Sequence, residues 1–211
     1  MKFSSNQHIF NSPWPTVSTA NWLKYPNEIT THVESVDYLS RNYDPQTGIL
    51  STERLITCSQ SIPTLLAKLF SGQTRAIIYE HSTVDAKQQR VVMKTRNLTF
   101  AEVMDVRETC TYTASKDPLT GQDVTLFQQD AEISASEQGC LSMLRSRLED
   151  FSLGRFQSNA AKGKSAMESV LRRMEAGIEN SPIGHFFKET NLLEVVSATE
   201  SSTEQSIQRN S

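Results

Sequence analysis

Between residues 75 and 133 the chain alternates apolar and polar positions with a period of two, the spacing that sends successive side chains to opposite faces of a strand. In the segment 90–98, Val91, Met93 and Thr95 share one face while Arg90, Lys94 and Arg96 share the other, the signature of a sheet wet on one side. Residues 102–113 place Met104, Val106, Cys110 and Tyr112 together, and residues 124–133 place Phe127, Ala131 and Ile133 inward. Polar breaks at Asp85-Ala-Lys-Gln-Gln and Lys116-Asp-Pro-Leu-Thr-Gly-Gln122 separate these runs. The segment 75–84 is the strand before the first break. Upstream, residues 2–11 read as a strand ended by Pro13 and Pro15, and residues 30–43 and 49–58 form a hairpin around Asp44-Pro-Gln-Thr-Gly48. The count is about seven antiparallel strands, with no spacing suited to parallel crossovers.

Two stretches change period. From Trp14, the positions of Val17, Ala20, Trp22 and Leu23 suit an amphipathic helix that Pro26 stops. After Glu137 a helical pattern runs to about Ala176. Beyond Gly177 the polar residues dominate, broken by Phe186-Phe187 and an apolar patch at 192–196, so residues 176–211 read as a flexible tail with room for one short helix. The expected fold class is therefore α+β, with a domain over residues 1–175: one curved antiparallel sheet, a helix after its first strand and a long helix after its last. Such a sheet, wrapped around a long helix, leaves space for a cavity.

The long helix carries an anomaly. Leu141, Leu144, Leu148 and Phe151 lie on one stripe, and the same spacing continues to Arg155, Asn159 and Lys162. The apolar face meanwhile shifts by nearly a quarter turn to Phe156, Ala160, Gly163, Met167, Val170 and Met174. Two accounts fit: the helix rolls its contact face near Gly154 and leaves the polar trio in solvent, or the trio lines a polar spot inside the cavity. Unpaired buried cations are costly, so the second account requires an anionic ligand such as a phosphate.

Composition narrows the function. The formal net charge is −3, so no basic excess points to nucleic acid or a strongly anionic partner. No apolar run reaches the roughly 18 to 20 residues of a membrane-spanning helix, and the N-terminal residues show neither a secretory core nor an Arg-rich presequence. Cys58, Cys110 and Cys140 are odd in number and widely spaced, and they make no zinc pattern with the four histidines; they read as small buried apolar residues. No Gly-x-Ser-x-Gly elbow, His-Glu-x-x-His helix or phosphate-cradling glycine loop is present, so no catalytic residue, metal or cofactor is expected. Asn97-Leu-Thr99 matches a glycosylation sequon but falls in an expected strand. Lys24 ends the first helix, where a cation complements the helix dipole. His32 stands at the start of a strand, and Arg54 shares a strand face with Leu50 and Ile56, where an arginine is ordinarily solvated or paired with a carboxylate. None of these is specific alone.

Blocks scattered along residues 1–175 weigh more: Lys24-Tyr-Pro-Asn27, His32-Val33, Thr52-Glu-Arg-Leu55, Arg96-Asn-Leu98, Leu126-Phe-Gln-Gln129, Glu149-Asp150, and Arg155-Phe156 with Asn159. In order and spacing they resemble the PRELI/MSF1 family of mitochondrial phospholipid-transfer proteins, and Asn21-Trp22 and Glu28-Ile29 look most like its Slowmo branch. The resemblance implies a START-like β-grip with a deep lipid pocket between sheet and helix. It implies that Lys24 reaches a buried phosphate, and that His32, Arg155, Asn159 and Lys162 take part in lipid handling, with Arg54 among the candidate lipid-binding residues. It implies that Ile62, Leu65, Leu66, Leu69 and Phe70 belong to a mobile lid, for which a short core helix is the competing reading. It further implies phosphatidylserine as cargo, with phosphatidic acid as runner-up and a lipid-free adaptor as the rival reading. A small twin Cys-x9-Cys protein of the intermembrane space is the implied one-to-one partner. Cys58 departs from relatives that carry lysine there.

Overall fold

The computed structural model describes residues 1–59, 75–136 and 141–177, with side chains from Arg145 onward in the last segment. The expected lid at residues 62–70 and nearly all of the expected tail lie outside these residues. Two compact units divide the chain, Met1–Leu171 and Arg172–Ser211. In the second, the described residues are the last turn of a helix and its end, where Gly177 takes a positive φ of 64° and its N–H bonds the Met174 carbonyl.

The described residues of the first unit form seven strands: β1 (Lys2–Phe10), β2 (Val33–Asp44), β3 (Ile49–Ser59), β4 (Arg75–Asp85), β5 (Arg90–Asn97), β6 (Met104–Lys116) and β7 (Asp123–Ala135). All neighbours are antiparallel, in the order β1-β7-β6-β5-β4-β3-β2. Helix α1 (Trp14–Trp22) follows β1, and the long α2 (Leu141–Glu175) follows β7. The strand count, the antiparallel pairing and the two helices are those expected from periodicity.

Turn chemistry places the hairpins. Asp44 accepts from the Gln46 N–H at 2.9 Å, and Gly48 closes the turn at φ 75°, where a Cβ is disfavoured. Asp117 does the same for Leu119 and Thr120 before Gly121 at φ 70°.

Two boundaries moved. α1 ends at Trp22, before Pro26, as the Leu23 N–H turns to the Ala20 carbonyl at 3.1 Å; Lys24 therefore stands just beyond the helix rather than at its end. The expected strand from residue 30 starts later, at Val33: Glu28–Thr30 form a 3₁₀ turn in which the Asn27 side chain accepts the Ile29 N–H at 2.9 Å. The Tyr25–Pro26 peptide between them is cis. The sequon asparagine is consumed internally: Asn97 donates to the Thr99 and Met104 carbonyls and accepts from the Val106 N–H, all at 2.8 Å.

The inward face of the sheet forms two packed ends. Met104, Ile133, Ala135 and Leu148 make one cluster, with Phe100, Val106, Phe151 and Phe156 against it. At the other end α1 buries Trp14, Val17, Ala20 and Trp22. Asn21, 1% exposed, donates to Met93 Sδ at 3.1 Å and accepts from the Tyr112 hydroxyl at 3.4 Å, which ties the end of α1 to β5 and β6. This tether fixes the chain that leads into Lys24.

Candidate functional site

Between the packed ends the sheet and α2 leave a cavity of about 270 Å³. Ile56, Ile78, Met93 and Val106 supply its strand wall, and Phe151, Phe156, Gly163 and Met167 its helix wall. Phe10, Tyr112 and Phe127 form an aromatic corner with ring centroids 4.8 to 6.4 Å apart. Two polar clusters interrupt this apolar lining.

The deeper cluster centres on Lys24, with Tyr25, Glu80, Glu108, Cys110 and Tyr112 also on the wall. Lys24 retains some accessible surface because it borders the cavity, while protein atoms surround it on its other sides. Its Nζ stands 4.9 Å from the Tyr25 ring centroid. Burial works against its charge, yet Tyr25, Tyr112, Cys110 and Glu80 outweigh burial and hold its pKa above that of an ordinary lysine. Burial in turn pushes Tyr25, Tyr112 and Cys110 upward, so they are uncharged at neutral pH and Glu80 is the group among the four that favours the cation there. The deep end of the cavity thus presents a fixed ammonium.

The outer cluster holds His32, Cys58, Arg155 and Asn159. Burial, followed by the Lys162 and Arg155 charges, keeps His32 below the usual histidine range and therefore neutral at neutral pH. Its Nδ1 is buried without a hydrogen-bond partner. Burial pushes the Cys58 thiol up to about 11, with Glu34 adding to it and Arg155 opposing. The Arg155 guanidinium lies 5.8 Å from the Phe151 ring.

The structure brings Lys24, His32, Arg155 and Asn159 onto one cavity and leaves two sequence candidates off it. Arg54 is 2% exposed but does not reach the lining: Nε and Nη2 both contact Glu80 Oε1, at 2.8 and 2.6 Å, and the Trp22 ring stacks 4.8 Å from the guanidinium. It is a paired strand arginine sealed beneath α1. Lys162 is exposed. The helix wall drifts from Phe151 and Arg155 to Gly163, Lys164 and Met167, which turns Lys162 to solvent and brings Lys164 onto the lining. Each account of the helix stripe holds for part of it: Arg155 and Asn159 line the cavity, and Lys162 is solvated.

Sequence reasoning missed Glu80, Glu108, Tyr25, Gln129 and Lys164 as wall residues. For the two acids the signal was present. Glu108 sits in phase with Met104, Val106, Cys110 and Tyr112, and Glu80 with Ala76 and Val84, so each is an acid in an inward register. Among the described residues no acid, histidine or cysteine cluster could hold a metal, and no helix is long and apolar enough to cross a membrane.

A seven-stranded antiparallel sheet closed by a long C-terminal helix over a cavity defines the START-like helix-grip class. The Zhui aromatase/cyclase from Streptomyces sp. R1128 shares this fold, with a TM-score of 0.51 across 84% of this chain and 98% of that one, at 12% identity. Within the class, the chain belongs to the PRELI-like family, whose model matches residues 15–177. It is 42% identical over 172 residues to the mitochondrial protein UPS2 of Saccharomyces cerevisiae, covering 82% of this chain and 73% of that protein. It is also 40% identical to a UPS-like protein of Schizosaccharomyces pombe, over 87% of this chain and 97% of the other. A slowmo homolog of Dictyostelium discoideum is 34% identical, over 85% and 75%.

Proposed function

We propose that this protein carries a glycerophospholipid, phosphatidylserine foremost, between the two mitochondrial membranes without breaking a bond. The observation that carries this reading is the Lys24 ammonium at the deep end of a cavity whose other walls are largely apolar. The apolar walls replace the bilayer around acyl chains, and Lys24 replaces water around the phosphate. The neutral His32 and the high-pKa thiols of Cys58 and Cys110 favour binding over catalysis. The mitochondrial designation of UPS2 supports a mitochondrial place of work, and the family resemblance supports the intermembrane space.

A carrier that takes up a lipid from a membrane must open its cavity to do so. Opening exposes apolar surface that invites aggregation or proteolysis. A small helical twin Cys-x9-Cys protein, bound one to one through non-covalent contacts, relieves that exposure. Co-expression with it yields a soluble complex, and expression alone yields aggregated protein.

The decisive experiment is lipid transfer between donor and acceptor vesicles by Lys24→Glu. The variant keeps its fold and its partner but loses transfer, since a carboxylate repels the phosphate that the ammonium attracts. Parental transfer rates from a folded Lys24→Glu protein would overturn the assignment.

A further inference from the structure

The deep cluster contains an acid that a phosphate site does not need. Glu108 points into the cavity from the middle of β6, in phase with Met104, Val106, Cys110 and Tyr112. Its Oε1 accepts from Gln129 Nε2 at 2.5 Å and from the Cys110 thiol at 3.2 Å, and its Oε2 accepts from the Thr95 hydroxyl at 3.1 Å. These three donors are neutral. Among the described residues Glu108 forms no salt bridge, whereas the neighbouring acid Glu80 is taken up by Arg54. Lys24 likewise makes no ion pair with a described carboxylate, its contact being the Tyr25 ring. Both Lys24 and Glu108 act electrostatically on Tyr25 and Cys110, so the two charges share one end of the cavity.

A carboxylate serving only as counter-ion to Lys24 would swing into direct contact with it. Glu108 is instead held in place by Gln129, Thr95 and Cys110, whose three bonds orient the carboxylate, leave it a further acceptor site and do not cancel its charge. A fixed cation and a separate fixed anion on the same wall match a headgroup that carries a phosphate and an ammonium together. They mismatch a headgroup that carries phosphate alone, because Glu108 then faces a like charge.

Resting on the phospholipid-carrier reading, we infer that Glu108 is a specificity-determining residue that receives the ammonium of an amino-bearing phospholipid while Lys24 receives its phosphate. The test compares transfer from phosphatidylcholine vesicles doped with phosphatidylserine, with N-acetyl phosphatidylserine or with phosphatidic acid, using the full chain co-expressed with its helical partner. Acetylation removes the ammonium and leaves the phosphate. The wild-type protein should move phosphatidylserine about tenfold faster than its N-acetyl form, the effect expected of one charge-assisted hydrogen bond. Glu108→Gln should lower the ratio of phosphatidylserine to phosphatidic acid rates by about tenfold, by slowing the first and speeding the second. Equal wild-type rates for phosphatidylserine and its N-acetyl form would overturn the inference. So would a Glu108→Gln protein that slows both lipids by the same factor; in both cases the carrier reading survives. The wild-type comparison decides the matter even where the variant fails to fold. A wild-type protein that moves none of the three lipids refutes the carrier reading itself, and this inference with it.

Discussion

At the scale of single residues, burial and partner choice separate the polar groups that hold the fold from those that face the cavity. Arg54 and Glu80 stand directly opposite each other on β3 and β4, both nearly inaccessible. Removing one member leaves the other buried and unpaired, so Arg54→Ala should cost about 3 to 5 kcal/mol of stability, read by chemical denaturation. Replacing both by Met and Leu should recover most of that loss, because no orphan charge is left behind. Single and double variants of equal stability would show that the pair is not the source. Cys58 offers a second readout. With its pKa at about 11, the thiol should react with iodoacetamide near neutral pH far more slowly than an unburied cysteine, accelerating only as pH approaches that value. Prompt alkylation at neutral pH would contradict the burial that raises it.

At the scale of elements, α2 is the wall that both packs and lines. Leu148 is fully buried against Met104 and Ile133, while one to four turns later Phe151, Arg155, Asn159 and Gly163 face open space. Two glycines in this helix separate stability from capacity. A Cβ at either Gly154 or Gly163 meets nothing within 4 Å. Gly154→Ala should raise stability by about 0.5 to 1 kcal/mol through reduced backbone entropy in the unfolded chain, with lipid transfer unchanged. Gly163→Leu should keep the fold, since the added side chain enters the cavity, and should reduce transfer by occupying space a lipid needs. Thermal melts and vesicle transfer on the same samples check both; transfer by Gly163→Leu equal to that of Gly154→Ala would mean that this stretch of wall is not used.

At the scale of the whole molecule, Glu149 ties the start of β1 and the end of β7 to α2. Its carboxylate, 4% exposed, contacts the Met1 ammonium at 2.6 Å and Arg145 at 3.0 Å, and accepts the Ala135 N–H at 3.2 Å. Burial by itself would raise its pKa, but these contacts outweigh burial and depress it from 4.5 to about 2. A depressed carboxylate stabilises the folded state above its unfolded value, and that contribution is lost as pH falls through the folded one. Stability should therefore decline between about pH 4.5 and pH 2, and Glu149→Gln should flatten that limb of the profile. An unchanged acid limb in the variant would assign the loss to other carboxylates.

The seven strands and both helices were legible in the sequence because backbone periodicity is local: alternation of two and stripes of 3.6 are written in neighbouring residues. The expectation that Lys24, His32, Arg155 and Asn159 serve one ligand came from family resemblance, and the structure brings the four onto one cavity. Only the tertiary structure separated Arg54 from that set, since its Glu80 partner lies 26 residues away on another strand and its cover, Trp22, on a helix. Only the tertiary structure left Lys162 off the cavity and set the exposed Lys164 at its edge, because the direction of a helix wall depends on how the helix crosses the sheet. Glu108 shows the same limit. The sequence places it in an inward register, but whether an inward acid is cancelled or left to meet a ligand depends on which partners the register brings beside it, and cross-strand pairing decides that.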